Sequence, residues 1–508
     1  MPEEKEFKYK LLMMTTLIIS GCSIIYEVLI SSVSSYLVGD SIKQFSITIG
    51  LYMSAMGIGS YISKYIKKNL FDWFVFVEIG VGILGGISSL VLFLSNVYIN
   101  SYELVMYIQI ILIGTLVGLE IPLLTRIIEG NTKNLRVTLS SIFTFDYIGG
   151  LVGSIAFPLI LLPKFGYFTT AFLTGTLNII ISIIIIYNYK DYIKNIITFK
   201  IIASVALILM IFGAVYSENI AKNIEGKLYR DKIVISKQTS YQNIVVTKHK
   251  DDLRLFLNGN IQFSTVDEYR YHESLVHIPM AASANKKKVL ILGGGDGLAL
   301  REVLKYDDVE NVTLVDLDEE MVELCKTNKD IVNSNEDSLK SEKLNLVYED
   351  AFKYLQESEE LFNVILVDLP DPNDENLNKL YTNVFYRLAT NHLAEKGTMA
   401  VQSTSPYYAK DAFWCINKTL EEEGLNVIPY HVQVPSFGDW GFQLVSKNPI
   451  DIKSLDVGVN TKFLNKETLG GLFTFSEDER ADKDILITNT LARPQLITYY
   501  LKAVENWR

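Results

Sequence analysis

The chain has 508 residues, of which 49% are hydrophobic and 21% are charged, and its formal net charge is −11 at pH 7. This acidic balance argues against a nucleic-acid partner, because neutralising phosphates requires a basic face. The three cysteines, Cys22, Cys325 and Cys415, provide neither a paired disulfide framework nor the ligand spacing of a zinc site. The composition therefore favours cationic ligands over anionic ones.

Long apolar segments dominate residues 1–216, which we predict to form a transmembrane domain of about seven helices. Most segments reach the roughly 20 residues needed to cross a hydrocarbon core of about 30 Å. The segments are Leu11–Gly39, Ile42–Ile66, Trp73–Ser95, Leu104–Ile128, Leu139–Pro163, Tyr167–Tyr187 and Ile201–Tyr216. The first segment lacks the cleavage pattern of a removable signal peptide, so we expect it to be retained. The sequence thus predicts a multi-pass protein of the cell membrane, with the lipid bilayer as a partner.

Basic residues near the ends of these segments predict their orientation. Lys64, Lys67 and Lys68 follow the second segment, and further basic residues precede the first segment and fill the fourth-to-fifth and sixth-to-seventh connections. The alternate connections contain only Lys43 and Lys164. This bias places the N-terminus in the cytoplasm, and seven crossings would then put the C-terminal half outside the cell.

Four acidic residues lie within the apolar segments, namely Glu27, Glu78, Glu120 and Asp146. Ionisable groups at membrane depth are costly and usually face the interior of a bundle or an aqueous cavity. One interpretation is a site for a cationic ligand or a proton. The other is that hydrogen-bonded acids hold the helices together, and the sequence leaves both open.

Residues 217–284 are predicted to form a small antiparallel β domain and a connecting helix, because β-forming stretches alternate there with turn signals. The predicted strands are Lys232–Ser236, Asn243–Lys248 and Leu253–Leu257. The helix begins near Asp267 with a polar and aromatic cluster that contains Tyr271 and His272. Acids in a first helical turn are ordinary partners of the helix dipole. That explanation does not cover Tyr271 and His272.

Residues 285–508 alternate strands and helices, which predicts a Rossmann-like α/β domain of the methyltransferase type with a mostly parallel sheet. The predicted strands are Val289–Leu292, Val312–Val315, Leu344–Tyr348, Val364–Val367, Thr398–Gln402, Asn426–Tyr430 and Gly441–Val445. The first strand leads into Gly293-Gly294-Gly295-Asp296-Gly297, where glycines allow a sharp turn and close approach to a nucleotide. Because Asp296 would repel a pyrophosphate, a nucleoside that carries a cation is the better ligand.

An acidic residue follows each of four strands in succession. Asp296, Asp316, Asp350 and Asp368 fall at carboxyl ends of strands, where open α/β sheets bind ligands. Together with Asp371 they predict an acidic pocket around a nucleoside and at least one amine. The alternative is that they are helix N-caps, which accounts for one or two of them. The prolines beside Asp368 and Asp371 instead indicate a rigid loop.

The motifs of the C-terminal half resemble those of the spermidine synthase family, the polyamine aminopropyltransferases. The resemblance runs from about Ser236 to Lys447. In chain order its motifs are Tyr241-Gln242, Tyr271-His272-Glu273, Gly293-Gly294-Gly295-Asp296-Gly297, Asp350-Ala351, and Asp368 with Asp371-Pro372. The apolar half, including Gly21-Cys22-Ser23-Ile24-Ile25-Tyr26-Glu27, looks like that of the multi-span membrane branch.

This resemblance implies an enzyme that transfers an aminopropyl group from decarboxylated S-adenosylmethionine to a di- or polyamine such as putrescine and releases methylthioadenosine. Asp368 would be the proton acceptor. The donor would be held by Gln242, Gly293, Gly295, Asp296, Asp316, Asp350 and Ala351, and the acceptor by Tyr271, His272, Asp296 and Asp371. The resemblance implies no metal and no permanently bound cofactor, and it allows a homo-oligomer.

Departures from the family pattern gather on the acceptor side, so the sequence leaves the identity of the amine open. Asn373-Asp374 stand where soluble members usually have Gly-Pro, and Phe437 stands where they tend to have tyrosine. On the donor side, Asp316 occupies a position that is glutamate in many soluble members.

Two other functions remain open at this point. A methyltransferase would use ordinary S-adenosylmethionine at the same nucleoside site, although Asp296 would repel the carboxylate of that donor. A polyamine transporter or sensor would use the acids of the apolar segments and read its ligand with the C-terminal half. The side of the membrane is also open, because the charge bias places outside the cell a domain whose donor the resemblance implies to be cytoplasmic.

Overall fold

The computed structural model describes residues 8–38, 41–99, 101–132 and 134–507. Gly39, which ends the first predicted span, lies outside these residues. The chain divides into two compact units, Met1–Arg230 and Asp231–Arg508. The first unit thus ends 14 residues after the predicted domain limit at residue 216, because the last helix of this unit continues to Leu228.

The described part of the first unit is helical throughout. Its helices are α1 (Tyr9–Val38), α2 (Ser41–Ser63), α3 (Leu70–Gly86), α4 (Ser88–Tyr98), α5 (Tyr102–Thr132), α6 (Leu135–Ala156), α7 (Leu162–Asn188) and α8 (Ile196–Leu228). A π-helical turn at Phe157–Leu161 joins α6 to α7, and Gly166 within α7 has non-helical angles (φ 65°, ψ −176°). Positive φ without steric cost is a property of glycine, so the chain can break its helical path there.

The helices on either side of Gly166 run in opposite directions along α1. A Cβ atom on Gly149 would lie 2.0 Å from the carbonyl oxygen of Leu17, and one on Gly153 would lie 2.4 Å from that of Gly21, so α6 runs parallel to α1. In contrast, α7 ends beside the start of α1, where the Nζ atom of Lys8 donates to Oδ1 of Asn188 at 2.7 Å. Gly149 and Gly153 therefore allow α6 to pack closely against α1.

The chain enters the helical bundle at one end and leaves it at the other. The chain enters at the face where Lys8 contacts Asn188, and α8 starts at Ile196 on the same face. At the other face, the hydroxyl oxygens of Ser217 in α8 and Thr169 in α7 are 2.6 Å apart. The chain therefore leaves the bundle from the face opposite the one where it enters.

Hydropathy identifies which helices could cross a membrane. Among the residues that the structure describes, five helical segments are long and apolar enough, or six when α3 and α4, which are bent by 44°, count as one span. The longest segment, Leu135–Asn188, contains 54 residues and includes the reversal at Gly166. Counting its two antiparallel halves separately gives seven crossings, the number that the sequence predicts. Residence in a membrane stays a prediction.

The second unit begins with a four-stranded antiparallel sheet in the order β1-β2-β3-β4. Its strands are β1 (Lys232–Gln238), β2 (Asn243–His249), β3 (Asp252–Leu257) and β4 (Asn260–Ser264). The sequence predicts the first three strands but not β4, a five-residue hairpin partner of β3. The prediction of a small antiparallel sheet is confirmed.

A mixed seven-stranded sheet follows, in the order β10-β11-β9-β8-β5-β6-β7. Its strands are β5 (Lys288–Gly293), β6 (Asn311–Asp316), β7 (Leu344–Tyr348), β8 (Phe362–Asp368), β9 (Leu393–Gln402), β10 (Asn426–Val434) and β11 (Gly438–Ser446). Five neighbouring strands, from β9 to β7, are parallel, and β10 and β11 are antiparallel. The predicted α/β architecture with a mostly parallel sheet is confirmed.

Helices cover both faces of this sheet, as parallel strands require. They are α9 (Glu268–Ala282), α10 (Leu298–Val303), α11 (Glu319–Thr327), α12 (Lys329–Asn335), α13 (Ala351–Glu357), α14 (Glu375–Asn378), α15 (Asn383–Asn391), α16 (Lys410–Glu422), α17 (Lys466–Gly471) and α18 (Gln495–Trp507). One apolar core joins the four-stranded sheet to one face of the seven-stranded sheet, through residues such as Val246, Leu275 and Ile291. A second core covers the other face. The carboxyl ends of the parallel strands form a single rim.

Candidate active site

The glycine loop after β5 packs against the ends of two neighbouring strands. Gly293 has φ +84°, and a Cβ atom there would lie 2.1 Å from the carbonyl oxygen of Asp368 at the end of β8. A Cβ atom on Gly295 would lie 2.5 Å from Oδ2 of Asp316 at the end of β6. The absence of side chains in this loop therefore brings Asp316 and Asp368 close to the same turn.

Asp368 is partly exposed at the rim and is held by an aromatic hydroxyl. Tyr271 on α9, which is 7% exposed, donates to Oδ1 of Asp368 at 2.6 Å. Burial and the nearby carboxylate of Asp296 raise the pKa of Asp368 to about 6, while His272 and the bond from Tyr271 act in the opposite direction. Asp368 is therefore a stronger base than an ordinary aspartate while remaining ionised at neutral pH.

His272 carries a positive charge at neutral pH. Burial lowers its pKa, but the hydrogen bond and charge of Glu268 outweigh that effect and raise the pKa to about 9. Nδ1 of His272 donates to Oε2 of Glu268 at 2.8 Å, and Arg301 holds the two oxygens of Glu268 at 2.9 and 3.0 Å. The charge of His272 acts on both Asp296 and Asp368. The imidazolium therefore partly balances two carboxylates of the pocket.

Asp296 lies at the start of α10, where its Oδ1 accepts from the backbone N–H of Leu298 at 2.9 Å. Burial raises the pKa of Asp296, and His272 opposes this shift. The N-cap residue of α10 is Gly297, so Asp296 is not the helix N-cap that the alternative interpretation expects. Its carboxylate also faces the charge of His272.

Asp371 is fixed in the loop after β8 by three donors. Gln402 donates to Oδ1 at 2.8 Å, and Tyr500 and Thr404 donate to Oδ2 at 2.9 and 3.4 Å. Burial raises the pKa of Asp371, and these hydrogen bonds oppose the increase. Tyr381 donates to the carbonyl oxygen of Pro370 at 3.0 Å, which stabilises the same loop. The predicted rigid loop is thus held by hydrogen bonds as well as by its prolines.

The end of β6 is joined to the small sheet through a residue that the sequence analysis missed. Asp316 accepts from the backbone N–H groups of Asp318 and Gly295 at 2.9 and 3.1 Å, and burial raises its pKa to about 6. Gln242 does not bond Asp316 but donates to Oδ2 of Asp318 at 2.9 Å, as Thr239 does at 2.8 Å. Asp318 therefore links Gln242 to the rim.

Asp350 at the end of β7 serves as a helix N-cap, as the alternative interpretation expects for one or two of the acids. Its Oδ1 accepts from the backbone N–H of Phe352 at 2.8 Å, and its Oδ2 pairs with Nζ of Lys379 at 2.6 Å. Burial raises the pKa of Asp350, but Lys379 outweighs this effect and lowers it. Ala351 follows at the first position of α13 and is 7% exposed.

The structure thus brings the candidate residues to one rim in two groups. Tyr271, His272, Asp296 and Asp368 interact with one another, and Asp371 acts electrostatically on Tyr271. Gln242, Asp316, Asp350 and Ala351 lie on the β6 and β7 side, where the backbone N–H of Glu349 donates to the carbonyl oxygen of Asp316 at 3.0 Å. Residues absent from the sequence prediction are Glu268, Arg301, Asp318, Gln402 and Tyr500.

Among the described residues, one group has spacing suited to a metal ion, namely His431, Asp439 and Glu479. Nδ1 of His431 lies 2.8 Å from Oδ1 of Asp439, and its Nε2 lies 2.8 Å from the carbonyl oxygen of Thr474. Both ring nitrogens therefore have protein partners, and a charged hydrogen bond accounts for the group.

The sheet order, the glycine loop and the acids on one rim define a group-transfer enzyme of the Rossmann-like α/β class. Residues 268–454 match the model of the spermine/spermidine synthase domain. The chain is 43% identical over 496 residues to the polyamine aminopropyltransferase of Oceanobacillus iheyensis, covering 96% of both chains. It is 43% identical over 490 residues to that of Leptospira interrogans, covering 96% of this chain and 97% of the relative.

A solved structure of spermidine synthase from Thermotoga maritima is 27% identical and covers 48% of this chain and 84% of that chain, with a TM-score of 0.43. On the full-length identities, the chain belongs to the polyamine aminopropyltransferase family and is an aminopropyltransferase. The predicted family and enzyme class are confirmed.

Proposed function

We propose that this aminopropyltransferase is a multi-pass membrane protein that uses decarboxylated S-adenosylmethionine as donor and a diamine such as putrescine as acceptor. Methylthioadenosine would be the second product. The observation that carries the proposal is the placement of Asp368 beside the glycine loop, with Tyr271 and His272 on one side and Asp371 in the following loop.

The donor would bind on the β5, β6 and β7 side of the rim. Gly293 and Gly295 let the loop pack closely against Asp368 and Asp316. We propose that the nucleoside lies along this loop, beside Asp316 and Asp350. The charge of Asp296 favours a donor tail that ends in an ammonium group. Ordinary S-adenosylmethionine also carries a carboxylate, which Asp296 would repel, so this residue disfavours methyl transfer.

The reaction requires an uncharged amine, because a protonated amine has no lone pair for attack. Free alkylamines have a pKa of about 10, so the acceptor enters mostly protonated. In our mechanism, Asp368 first removes a proton from the ammonium group of the acceptor, and the freed lone pair of the nitrogen then forms a bond to the methylene carbon next to the sulfonium. The carbon–sulfur bond breaks, and its electron pair leaves with the neutral thioether. The elevated pKa of Asp368 suits this transfer better than an ordinary carboxylate would.

The acceptor would bind between Asp368 and Asp371, with its second ammonium group near Asp371. Before substrates bind, His272 supplies positive charge close to Asp296 and Asp368. We propose that Tyr271 and His272 also contact the amine groups, and that the donated hydrogen bond from Tyr271 orients Asp368. As the sulfonium loses its charge, positive charge develops on the new secondary amine, where the other carboxylates of the pocket stabilise it.

Membrane residence is supported by the apolar helices of the first unit and by relatives whose similarity covers 96% of this chain, including that unit. Basic residues such as Lys64, Lys67 and Lys68 lie on the face where the chain enters, and the chain leaves from the opposite face. By the positive-inside rule the second unit would face away from the cytoplasm. If the donor is cytoplasmic, the second unit must instead lie on the cytoplasmic side of the membrane.

Labelling of a single introduced cysteine distinguishes these two topologies. The native Cys22, Cys325 and Cys415 are all buried, so they provide a low background. Lys340, whose side chain is 53% exposed, is a suitable position for Lys340→Cys. Reaction of intact cells with an impermeant maleimide supports the external orientation, and reaction only after permeabilisation supports the cytoplasmic one.

The catalytic proposal is tested by incubating the purified full-length protein with decarboxylated S-adenosylmethionine and a panel of amines, and by identifying the products by mass. We expect aminopropylated diamine and methylthioadenosine in equal amounts. Asp368→Asn should lower the turnover by about 10²- to 10⁴-fold, which is the usual contribution of a general base. Methylated amine from ordinary S-adenosylmethionine, or full turnover by Asp368→Asn, would contradict the proposal.

A further inference from the structure

Two acidic side chains in the interior of the helical bundle have oxygens without a hydrogen-bond partner. Glu78 on α3 is completely buried and Glu120 on α5 is 4% exposed. The Oε1 atom of each residue lacks a partner among the described residues. A buried carboxylate in this condition is strongly unfavourable, whereas native proteins generally satisfy such groups.

Two neutral side chains near these glutamates also have an oxygen without a hydrogen-bond partner. Asn178 on α7 is 1% exposed and donates its Nδ2 to Oε2 of Glu78 at 3.3 Å, which leaves its own Oδ1 without a partner. The hydroxyl of the fully buried Tyr26 on α1 also lacks a partner. Asn178 reaches Glu78 directly, so an unpaired amide oxygen lies next to the unpaired carboxylate.

These groups form one cluster at the centre of the bundle. Glu120 experiences the charges of Glu78 and Asp146, and both glutamates act electrostatically on Tyr26 and on Cys22. The contributing helices are therefore α1, α3, α5, α6 and α7. Tyr26 packs across α3, because a Cβ atom on Gly85 would lie 2.4 Å from its ring. A set of oxygens drawn from so many helices is a feature of the assembled bundle.

The described part of the chain offers no cation to this cluster. No basic residue among the described ones pairs with Glu78 or Glu120. Arg126 on α5 instead donates to the carbonyl oxygens of Pro122, Ile66 and Ser63. A single proton would supply one donor, whereas three oxygens, Oε1 of Glu78, Oε1 of Glu120 and Oδ1 of Asn178, lack a partner. The unpaired oxygens therefore require an intervening positive ligand or hydrogen-bond donor.

We infer that the bundle contains a second cation-binding site, separate from the catalytic site, in which Glu78, Glu120 and Asn178 supply oxygens to a monovalent cation and Tyr26 lies alongside. Such oxygens suit an alkylammonium group, which brings several N–H donors, or an alkali metal ion. An alkylammonium ligand would be chemically similar to the acceptor and the product that we propose for the enzyme. The site does not depend on the identity of the donor used in catalysis.

Hydrogen–deuterium exchange of the full-length protein in lipid nanodiscs measures the local opening of α3 and α5, and these helices lie outside the catalytic unit. The probes are putrescine, NaCl and KCl, each compared with tetramethylammonium chloride at equal ionic strength, because that ion is bulky and has no N–H donor. At about ten times the dissociation constant, a bound cation should slow exchange through local opening of α3 and α5 about tenfold. Protection by putrescine identifies an ammonium ligand, and protection by Na⁺ or K⁺ alone identifies a metal ion.

The variants Glu78→Gln and Glu120→Gln should remove this protection, because each replaces an anionic ligand with a neutral amide. Glu103→Gln is the matched control, because Glu103 is exposed on the same helix as Glu120 and should keep the wild-type response. Absence of protection by all three probes in the wild-type protein overturns the inference, whether or not the variants fold. Aminopropyl transfer by that same wild-type sample would show that the catalytic proposal survives the failure.

Discussion

Tyr271 donates its hydroxyl hydrogen to Oδ1 of Asp368 across 2.6 Å, and this bond ties helix α9 to the end of strand β8. The other oxygen, Oδ2, would lie 3.2 Å from a Cβ atom on Gly294, so it faces the glycine loop. One oxygen of Asp368 is therefore occupied by the protein, and the other is directed to the place where we propose that donor and acceptor meet. The bond also favours the ionised form of Asp368, which is the form that accepts a proton.

The first prediction concerns the pH dependence of Tyr271→Phe. Because the pKa of Asp368 is raised to about 6, the kcat/KM of the wild-type enzyme should fall as the pH drops through about 6 and this base becomes protonated. Removing the Tyr271 hydroxyl removes an interaction that lowers this pKa, so the acid limb should move upward by about one pH unit. If the acid limb of the pH profile is the same in Tyr271→Phe as in the wild type, the limb reports the titration of another group, such as Asp316.

The second prediction concerns acceptor binding by Tyr500→Phe. Tyr500 on α18 holds Oδ2 of Asp371 at 2.9 Å. Loss of this hydrogen bond should raise the KM for the amine about tenfold, because a hydrogen bond to a charged group contributes roughly 1.5 kcal/mol or more. The KM for the donor should stay constant. Tyr499→Phe is the control, since the hydroxyl of Tyr499 contacts the backbone N–H of Ile487 instead. Equal increases in both KM values would indicate general distortion.

The third prediction compares two glycines with similar backbone angles. Gly293 and Gly424 have φ values of +84° and +77°, but only Gly293 has a neighbour within 4 Å of an added Cβ atom, the carbonyl oxygen of Asp368 at 2.1 Å. Gly293→Ala should displace Asp368 and lower kcat by about a hundredfold. Gly424→Ala should cost about 1 kcal/mol of folding free energy and leave kcat unchanged. Comparable activities of the two variants would contradict the close packing of the loop.

The fourth prediction concerns a buried ion network below α9. Glu302 is 1% exposed and pairs with His277, Arg301 and Lys305. Burial raises its pKa, but these partners outweigh that effect and lower the pKa to about 2. Its stabilising contribution should therefore be fully present above the unfolded-state pKa of about 4.5 and be lost as the pH falls towards 2.

Thermal melting of Glu302→Gln and Glu310→Gln measures this contribution. Removing Glu302 should cost about 3 kcal/mol at pH 7, because it leaves Nε2 of the buried His277 without its partner and the buried Arg301 with one carboxylate fewer. Glu310 pairs with Lys287 at the surface, with 63% of its side chain exposed, so its loss should cost less than about 1 kcal/mol. The melting temperature of Glu302→Gln should also depend less on acid pH than that of the wild type.

The rim of acids was predictable because each acid lies at the carboxyl end of a strand or within three residues of it, and parallel strands end at one edge. Asp316 and Asp368 follow this logic, and their closeness depends on the glycines between them. Gln402 also ends a strand and could have been found in the same way. Tyr500 could not have been found from the sequence, because 129 residues separate it from Asp371 along the chain. No local sequence pattern links its helix to the rim.

Other differences have local physical causes. The family motif contains Gln242 but not its partner Asp318, because Asp318 lies two residues beyond the end of β6 and only the fold brings the two together. The Glu268 and His272 pair is spaced by four residues on one helix, a signal that the sequence contains. Strand β4 was missed because it is short and begins in the turn itself.

The bond between Tyr500 and Asp371 has a consequence for how the enzyme is made. A ribosome completes the donor side of the rim, with Asp316 and Asp350, well before it synthesises α18. A nascent chain that has reached residue 454 already contains the whole matched family domain, but its Asp371 still lacks the phenol that holds one of its oxygens. If Asp371 binds the acceptor as we propose, acceptor recognition is completed last. Proteolytic removal of α18 would then impair the use of the amine while sparing the residues proposed to bind the nucleoside.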